Sequence, residues 1–230
     1  ATEIARRDKR KRTIGRKDLA RILGPTQFES ELALRSGIPG VATGLAWTET
    51  GGEILFVEAT ATQGSGALTL TGQMGEVMRE SAQAALTYIK EHLQEWGLEA
   101  KTLAKRDIHI HVPEGSIPKD GPSAGITMAV ALLSTLLQRP VPHRMAFTGE
   151  ITLRGQILPV GGLREKLLAA HRVGIRTAVL PAANRKERRE FPSSVTRAVR
   201  LVWAETMADV FRAALPRPAK RPRASGRAKR

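Results

Sequence analysis

The stretch PKDGPSAGITMAVALLSTLLQ, residues 118–138, carries the reading from which the fold follows. Its loop portion, PKDGPSAG, holds two prolines and two glycines, so the backbone there is bent and largely fixed before anything binds. The portion after it, ITMAVALLSTLLQ, is apolar almost all round, and a helix without a polar face is a buried helix. Ser123 therefore stands where a constrained loop enters a core helix. Pro122 suits the first turn. The free N–H groups of that turn, and the positive end of the helix dipole, point towards whatever lies beside Ser123. That arrangement suits an oxyanion and makes Ser123 a candidate nucleophile. A serine that merely caps a core helix fits the same residues.

Upstream, residues 40–50 and 53–60 read as two strands joined at Thr50-Gly51-Gly52, a hairpin. Glu58 lies near the end of the second strand in an apolar stretch, where a carboxylate needs a partner or an exposed face. Residues 67–71 read as a third strand and 73–96 as a long helix. Met74, Val77, Met78, Ala85, Ile89, Leu93 and Trp96 make its buried stripe, and Gly97 ends it. DIHIHV, residues 107–112, alternates strictly, so His109 and His111 share the face opposite Ile108, Ile110 and Val112. A zinc site needs at least one further ligand, and no Cys or His follows at metal-site spacing. The expectation is two partly exposed histidines beside a cleft, with no metal.

Downstream come a strand at 145–148, a small hairpin of 151–153 and 156–158, and a helix at 163–173 opened by Gly161-Gly162. A strand at 177–180, a short charged helix at 184–190, a strand at 199–203 and a helix at 207–215 follow. Strands and helices mix without regular βαβ alternation, so the fold class is mixed α/β or α+β. In the helix LREKLLAAHRV, Lys166 falls about 60° from Leu163, on the apolar face between Ala170 and Val173. Desolvation there lowers a lysine's pKa, because the charged form loses its water, and a neutral amine is a usable general base. A lysine snorkelling at the edge of the stripe is the alternative. Ser123 and Lys166 together make a serine–lysine dyad, with Thr148 at its strand end able to aim the amine or to serve as an ordinary strand residue. Gly121-Pro122-Ser123-Ala124-Gly125 also matches the G-x-S-x-G pattern of α/β-hydrolases. That pattern needs a strand running directly into the serine, and here a proline-rich loop intervenes.

The chain has 230 residues, 41% of them hydrophobic, and no cysteine. Disulfides and thiolate metal sites are excluded, which fits a reducing compartment. No apolar run approaches the ~20 residues of a membrane span, and no signal peptide is visible. The net charge of +15 sits at the ends: +6 over residues 1–21 and +7 over residues 217–230. Such ends suit non-specific phosphate contacts with nucleic acid, or simply solvation. The chain begins with Ala1, which raises the expectation of a fragment.

PKDGPSAG, TGEITLRGQILPVGG and LREKLLAAHRVGI, with HIHVPEG before the serine loop and FVEAT in the early hairpin, closely resemble the proteolytic domain of Lon proteases of the soluble bacterial type. The resemblance covers roughly residues 25–215. It implies an ATP-dependent serine endopeptidase of protein quality control, acting in the cytoplasm on unfolded or damaged proteins. Ser123 is then the nucleophile, Lys166 the general base and Thr148 the residue that positions the lysine. Asp120 and Glu58 are implied as acidic residues beside the dyad, with His109 and His111 nearby, and Asp120 in a loop that can block or open the site. The implied fold is the family's mixed α/β one, with small mixed sheets packed by helices, and the implied assembly is a homo-hexameric ring. No G-x-x-x-x-G-K-[ST] loop is present. No cofactor is therefore expected in this chain, and ATP and Mg belong to the rest of the full-length protein. Residues 1–24 read as the end of a preceding ATPase module, 25–215 as the proteolytic domain and 216–230 as a basic disordered tail, whose role the resemblance leaves open.

Overall fold

The computed structural model describes residues 18, 22, 37–49, 51–99, 101–113 and 119–216. Residues 1–34 group as one unit and 35–230 as another. Of the first unit only Asp18 and Ile22 are described, both helical. Apart from Asp18, the basic ends lie outside the described residues, as do the boundary between residues 24 and 25 and the start of the serine loop.

In chain order the second unit runs β1 (Val41–Thr48), β2 (Gly51–Gln63), β3 (Leu68–Thr71), α1 (Glu76–His92, continued by a 3-10 turn Leu93–Trp96), α2 (Lys101–Ala104) and β4 (Arg106–His111). A 3-10 turn, Pro122–Ala124, leads into α3 (Gly125–Leu137), then β5 (Met145–Phe147), β6 (Glu150–Ile151), β7 (Ile157–Leu158) and α4 (Leu163–Val173). β8 (Thr177–Pro181), a 3-10 helix Ala182–Glu190, α5 (Ser193–Ala198), β9 (Arg200–Ala204) and α6 (Met207–Ala214) complete it. Seven strands join in one mixed sheet in the order β3-β4-β2-β1-β5-β8-β9, and β6 and β7 form a separate ribbon. β2 is antiparallel to β1 and β4, while β1-β5, β5-β8, β8-β9 and β3-β4 are parallel. The fold is thus mixed α/β, with its strands gathered into one large sheet and a ribbon.

Every residue from Gly125 to Thr135 of α3 is buried. α1, α3 and α6 share one apolar cluster with Leu55, Val57 and Ile110 of the sheet. α4 covers the opposite side near the tip of the β1–β2 hairpin, where Leu45, Phe56, Leu163 and Leu167 are buried. The hydroxyls of α3 are satisfied by backbone, as burial requires. Thr135 donates to the Ala59 carbonyl at 2.6 Å, and Ser134 accepts from the Gly40 N–H at 2.9 Å. Gly40, at φ 88°, is the residue that fits there: a Cβ would lie 2.2 Å from Thr135 Oγ1.

β2 runs longer than its sequence pattern indicates, because its far half pairs with β4 from Glu58↔His111 to Gln63↔Arg106. α1 starts later than expected. Gly72 and Gln73 have φ of 105° and 52°, and Met74 bridges to Lys119, which keeps the chain non-helical up to Gly75. Val77 leaves the predicted stripe and is exposed, since Met78, Ala82, Ala85 and Ile89 already define the inward face. α2 and α5 are short helices without enough residues to set up a period, so no pattern announced them.

Candidate active site

A cavity of about 580 Å³ opens between the hairpin tip, the 3-10 turn Pro122–Ala124, the segment after β7 and the first turn of α4. Ser123 and Lys166 both line it. Ser123 is half-buried in a turn with Pro122 at its start and Gly121 before it at φ 114°. Its carbonyl accepts from the Gly149 N–H at 2.9 Å and from Thr148 Oγ1 at 3.4 Å.

Lys166 is 2% exposed. Its Nζ donates to Thr148 Oγ1 at 3.1 Å. Thr148, just past β5, is fully buried, and its N–H is held by the Val179 carbonyl at 3.1 Å. One hydroxyl thus accepts from the amine and donates to the serine's carbonyl. Burial pulls the Lys166 amine down to about 8, because the charged form loses its water. Among the described residues no hydrogen bond joins Ser123 Oγ directly to Lys166 Nζ.

The hairpin reaches the backbone of the first turn of α4 because Gly52 lacks a side chain. A Cβ there would lie 2.0 Å from the Glu165 carbonyl and 2.8 Å from the Lys166 N–H nitrogen. Arg172 ties the same contact by donating to the Gly52 carbonyl at 3.2 Å. Trp47, on β1, lines the cavity with 57% of its surface exposed. Sequence reading treated it only as a strand residue. Alternation places it on the face of Leu45, but only the fold shows that this part of the face borders a cleft.

Asp120 lines the cavity too, yet its carboxylate is turned to α1. Oδ1 accepts from the Met78 N–H at 2.9 Å and the Gly121 N–H at 2.8 Å, so it serves the free donors of a helix N-terminus. The approach is close enough that a Cβ on Gly75 would lie 2.2 Å from Asp120 Cγ. Glu58, His109 and His111 are not among the residues that line the cavity, and strand pairing sets their place. In the ladders Glu58 stands opposite Val41 and His111, at the far end of the hairpin from Trp47 and Gly52. Thr71 Oγ1 lies 2.8 Å from His109 Nε2 and 2.7 Å from His111 Nδ1, which ties both rings to β3. α4 does not extend over that part of the sheet, so it stays polar and partly exposed. The hydrolase-elbow alternative fails: residues 112–121 separate β4 from the serine turn, and His171, the only histidine after it that could complete the required order, is exposed.

A hydroxyl on a proline-bounded turn and a dehydrated amine line one cleft of this mixed α/β domain, an arrangement suited to nucleophilic acyl transfer. The chain belongs to the Lon protease (S16) C-terminal proteolytic domain family, which it matches over residues 13–217. It is 52% identical to the Lon protease of Phenylobacterium zucineum over 202 residues, 88% of this chain and 26% of that protein. It is 52% identical to the Lon protease of Syntrophus aciditrophicus over 217 residues, 94% and 28% of the two chains. Against Lon protease 2 of Myxococcus xanthus the identity is 50% over 218 residues, 95% and 26%. The chain thus spans about a quarter of the length of these curated relatives. Among the described residues, no helix is long and apolar enough to cross a membrane, and no group of three or more His, Cys, Asp or Glu gathers as metal ligands.

Proposed function

We propose that this domain hydrolyses peptide bonds through a Ser123–Lys166 dyad. The carrying observation is the Lys166 amine, buried and bonded to Thr148 on the wall of the cavity that holds Ser123. A neutral amine keeps one N–H on Thr148 and offers its lone pair to the serine proton. The bond from Ser123 Oγ to Nζ closes when substrate fills the cavity, as catalytic hydrogen bonds commonly tighten on binding. Ser123 Oγ then attacks the scissile carbonyl carbon while its proton passes to Nζ. N–H groups of the turn hold the oxyanion. The tetrahedral intermediate collapses, Nζ returns the proton to the leaving amine, and an acyl-serine remains. Water, deprotonated by the same amine, releases the acid and restores the serine. Thr148 aims the amine, and Asp120 holds the serine loop against α1.

In the full-length protein the substrates are unfolded or damaged proteins, delivered in the cytoplasm by an ATP- and Mg-dependent part of the molecule into a homo-hexameric ring. The proteolytic domain proper is residues 25–215, preceded by the ATPase module's last segment and followed by the basic tail.

The test is labelling with a serine-directed fluorophosphonate followed by peptide mapping. The label should fall on Ser123, appear faster as pH rises with a midpoint near 8, and vanish in a folded Lys166→Ala variant. Undiminished peptide cleavage by Lys166→Ala would sink the dyad.

A further inference from the structure

Between β7 and α4 the chain passes through Pro159-Val160-Gly161-Gly162, and all four residues form one wall of the cavity. Two of them are glycines, so the wall has few side chains of its own with which to hold position. It is fixed from outside. On one side Trp47 presses against Gly162, where a Cβ would lie 2.7 Å from Trp47 Cγ. On the other side stands Asn184, 3% exposed, in the 3-10 helix Ala182–Glu190. Asn184 Oδ1 accepts from the Val160 N–H at 3.0 Å, and Nδ2 donates to the Val160 carbonyl at 3.0 Å. The side-chain amide therefore copies the two-way bonding of a β-ladder and clamps a single residue of the wall. Nδ2 also donates to Glu187 Oε1 at 2.5 Å. A carboxylate only accepts, so this bond fixes which way round the amide sits.

We propose that Asn184 is a positioning residue for peptide binding: it holds the Pro159–Gly162 wall in the place from which the wall meets the main chain of a bound substrate. The inference rests on the reading of this cavity as the protease site. The Lys166 N–H bonds to the Gly162 carbonyl at 3.0 Å, but its amine is held by Thr148 and its helix turn abuts Gly52, neither of which bonds to Asn184. Loss of the clamp should therefore loosen substrate binding and leave the chemistry of the dyad in place. A role in the fold alone would instead lower stability, labelling and turnover together.

The experiment compares wild type, Asn184→Ala and Glu187→Ala in the full-length protein. A fluorogenic peptide gives kcat and KM, and a small fluorophosphonate, which needs only the nucleophile and its base, gives the labelling rate at Ser123. Loss of two buried hydrogen bonds in Asn184→Ala should raise KM about tenfold. The same variant should keep kcat within about a factor of two and leave the labelling rate and its pH midpoint unchanged. Glu187→Ala keeps the clamp and frees only its orientation, so KM should rise less and in the same direction. An unchanged KM in a folded, labelled Asn184→Ala protein overturns the proposal. If Asn184→Ala does not fold, an unchanged KM in Glu187→Ala overturns it. Wild type that takes no label at Ser123 would defeat the dyad reading itself, an outcome separate from either result for Asn184.

Discussion

Lys166 enters the folded state with its amine displaced from 10.5 to about 8, because burial removes water from the ammonium. The displacement has a stability consequence with a definite sign. Below pH 8 the amine is protonated in both states, and the cost of burying the charge is present in full. Between 8 and 10.5 the folded state gives up its proton first, so stability rises with pH, by about 3 kcal/mol in all. Lys166→Met should therefore be the more stable protein at pH 7, and the difference should shrink as pH climbs past 8. Urea denaturation of both proteins across that range checks it. Thr148→Val removes the hydroxyl that favours the charged amine. The midpoint of labelling should then move below that of wild type, and kcat should fall by about 10- to 100-fold as the amine loses its aim. A midpoint that stays put would remove Thr148 from the site's chemistry. The lysine was legible in the sequence because helical period alone puts residue 166 on the apolar face, between Ala170 and Val173. The surroundings of Glu58 were not: a carboxylate near the end of an apolar strand says that a partner or water is near, not that His111 stands opposite it.

Among the elements, α3 and the hairpin do different things for the site. α3 supplies the buried platform under Ser123, and each fully buried leucine in it contributes on the order of 2 kcal/mol. Leu132→Ala should cost about 3 kcal/mol in a denaturant titration, since Leu132 is fully buried and the helix has neighbours on every side. The hairpin brings Trp47 and Gly52 to α4, and there the tolerance is for space. Gly52→Ala should push the hairpin away from Lys166, destabilising the domain by about 1–3 kcal/mol and slowing fluorophosphonate labelling. Normal labelling in that variant would show that the hairpin's approach is not needed by the amine. Both elements were legible, one from a run with no polar face and the other from Thr50-Gly51-Gly52 between strand-like runs. The extension of β2 and the delayed start of α1 were not, because β4 and the Lys119 bridge decide them from distant parts of the chain.

For the whole molecule, the charge distribution sets a separate expectation. The ends carry +13 of the total +15. If they bind nucleic acid, affinity should fall steeply with salt, and removal of residues 1–21 and 217–230 should abolish it while peptide cleavage continues. Binding that survives the trimming would move the site onto the folded body. The end of β1 in the seven-stranded sheet, the segment after β7 in the ribbon, the serine turn and the start of α4 meet around one cleft. That convergence is a property of crossovers, and crossovers bring together residues with no local pattern in common.

Local chemistry settled a good deal in advance: a rigid serine turn, a helix too apolar to face water, a lysine on the wrong side of its own helix, and a class in which strands and helices mix. Periodicity and backbone stereochemistry act over a few residues, so a linear chain displays them. The turning of Asp120 onto α1, the pairing of Glu58 with His111, the exposed Trp47 beside the cleft and the clamp of Asn184 on Val160 belong to the folded object. Each depends on strand register or on a contact between residues far apart in the chain, and such distances are fixed only when the sheet closes.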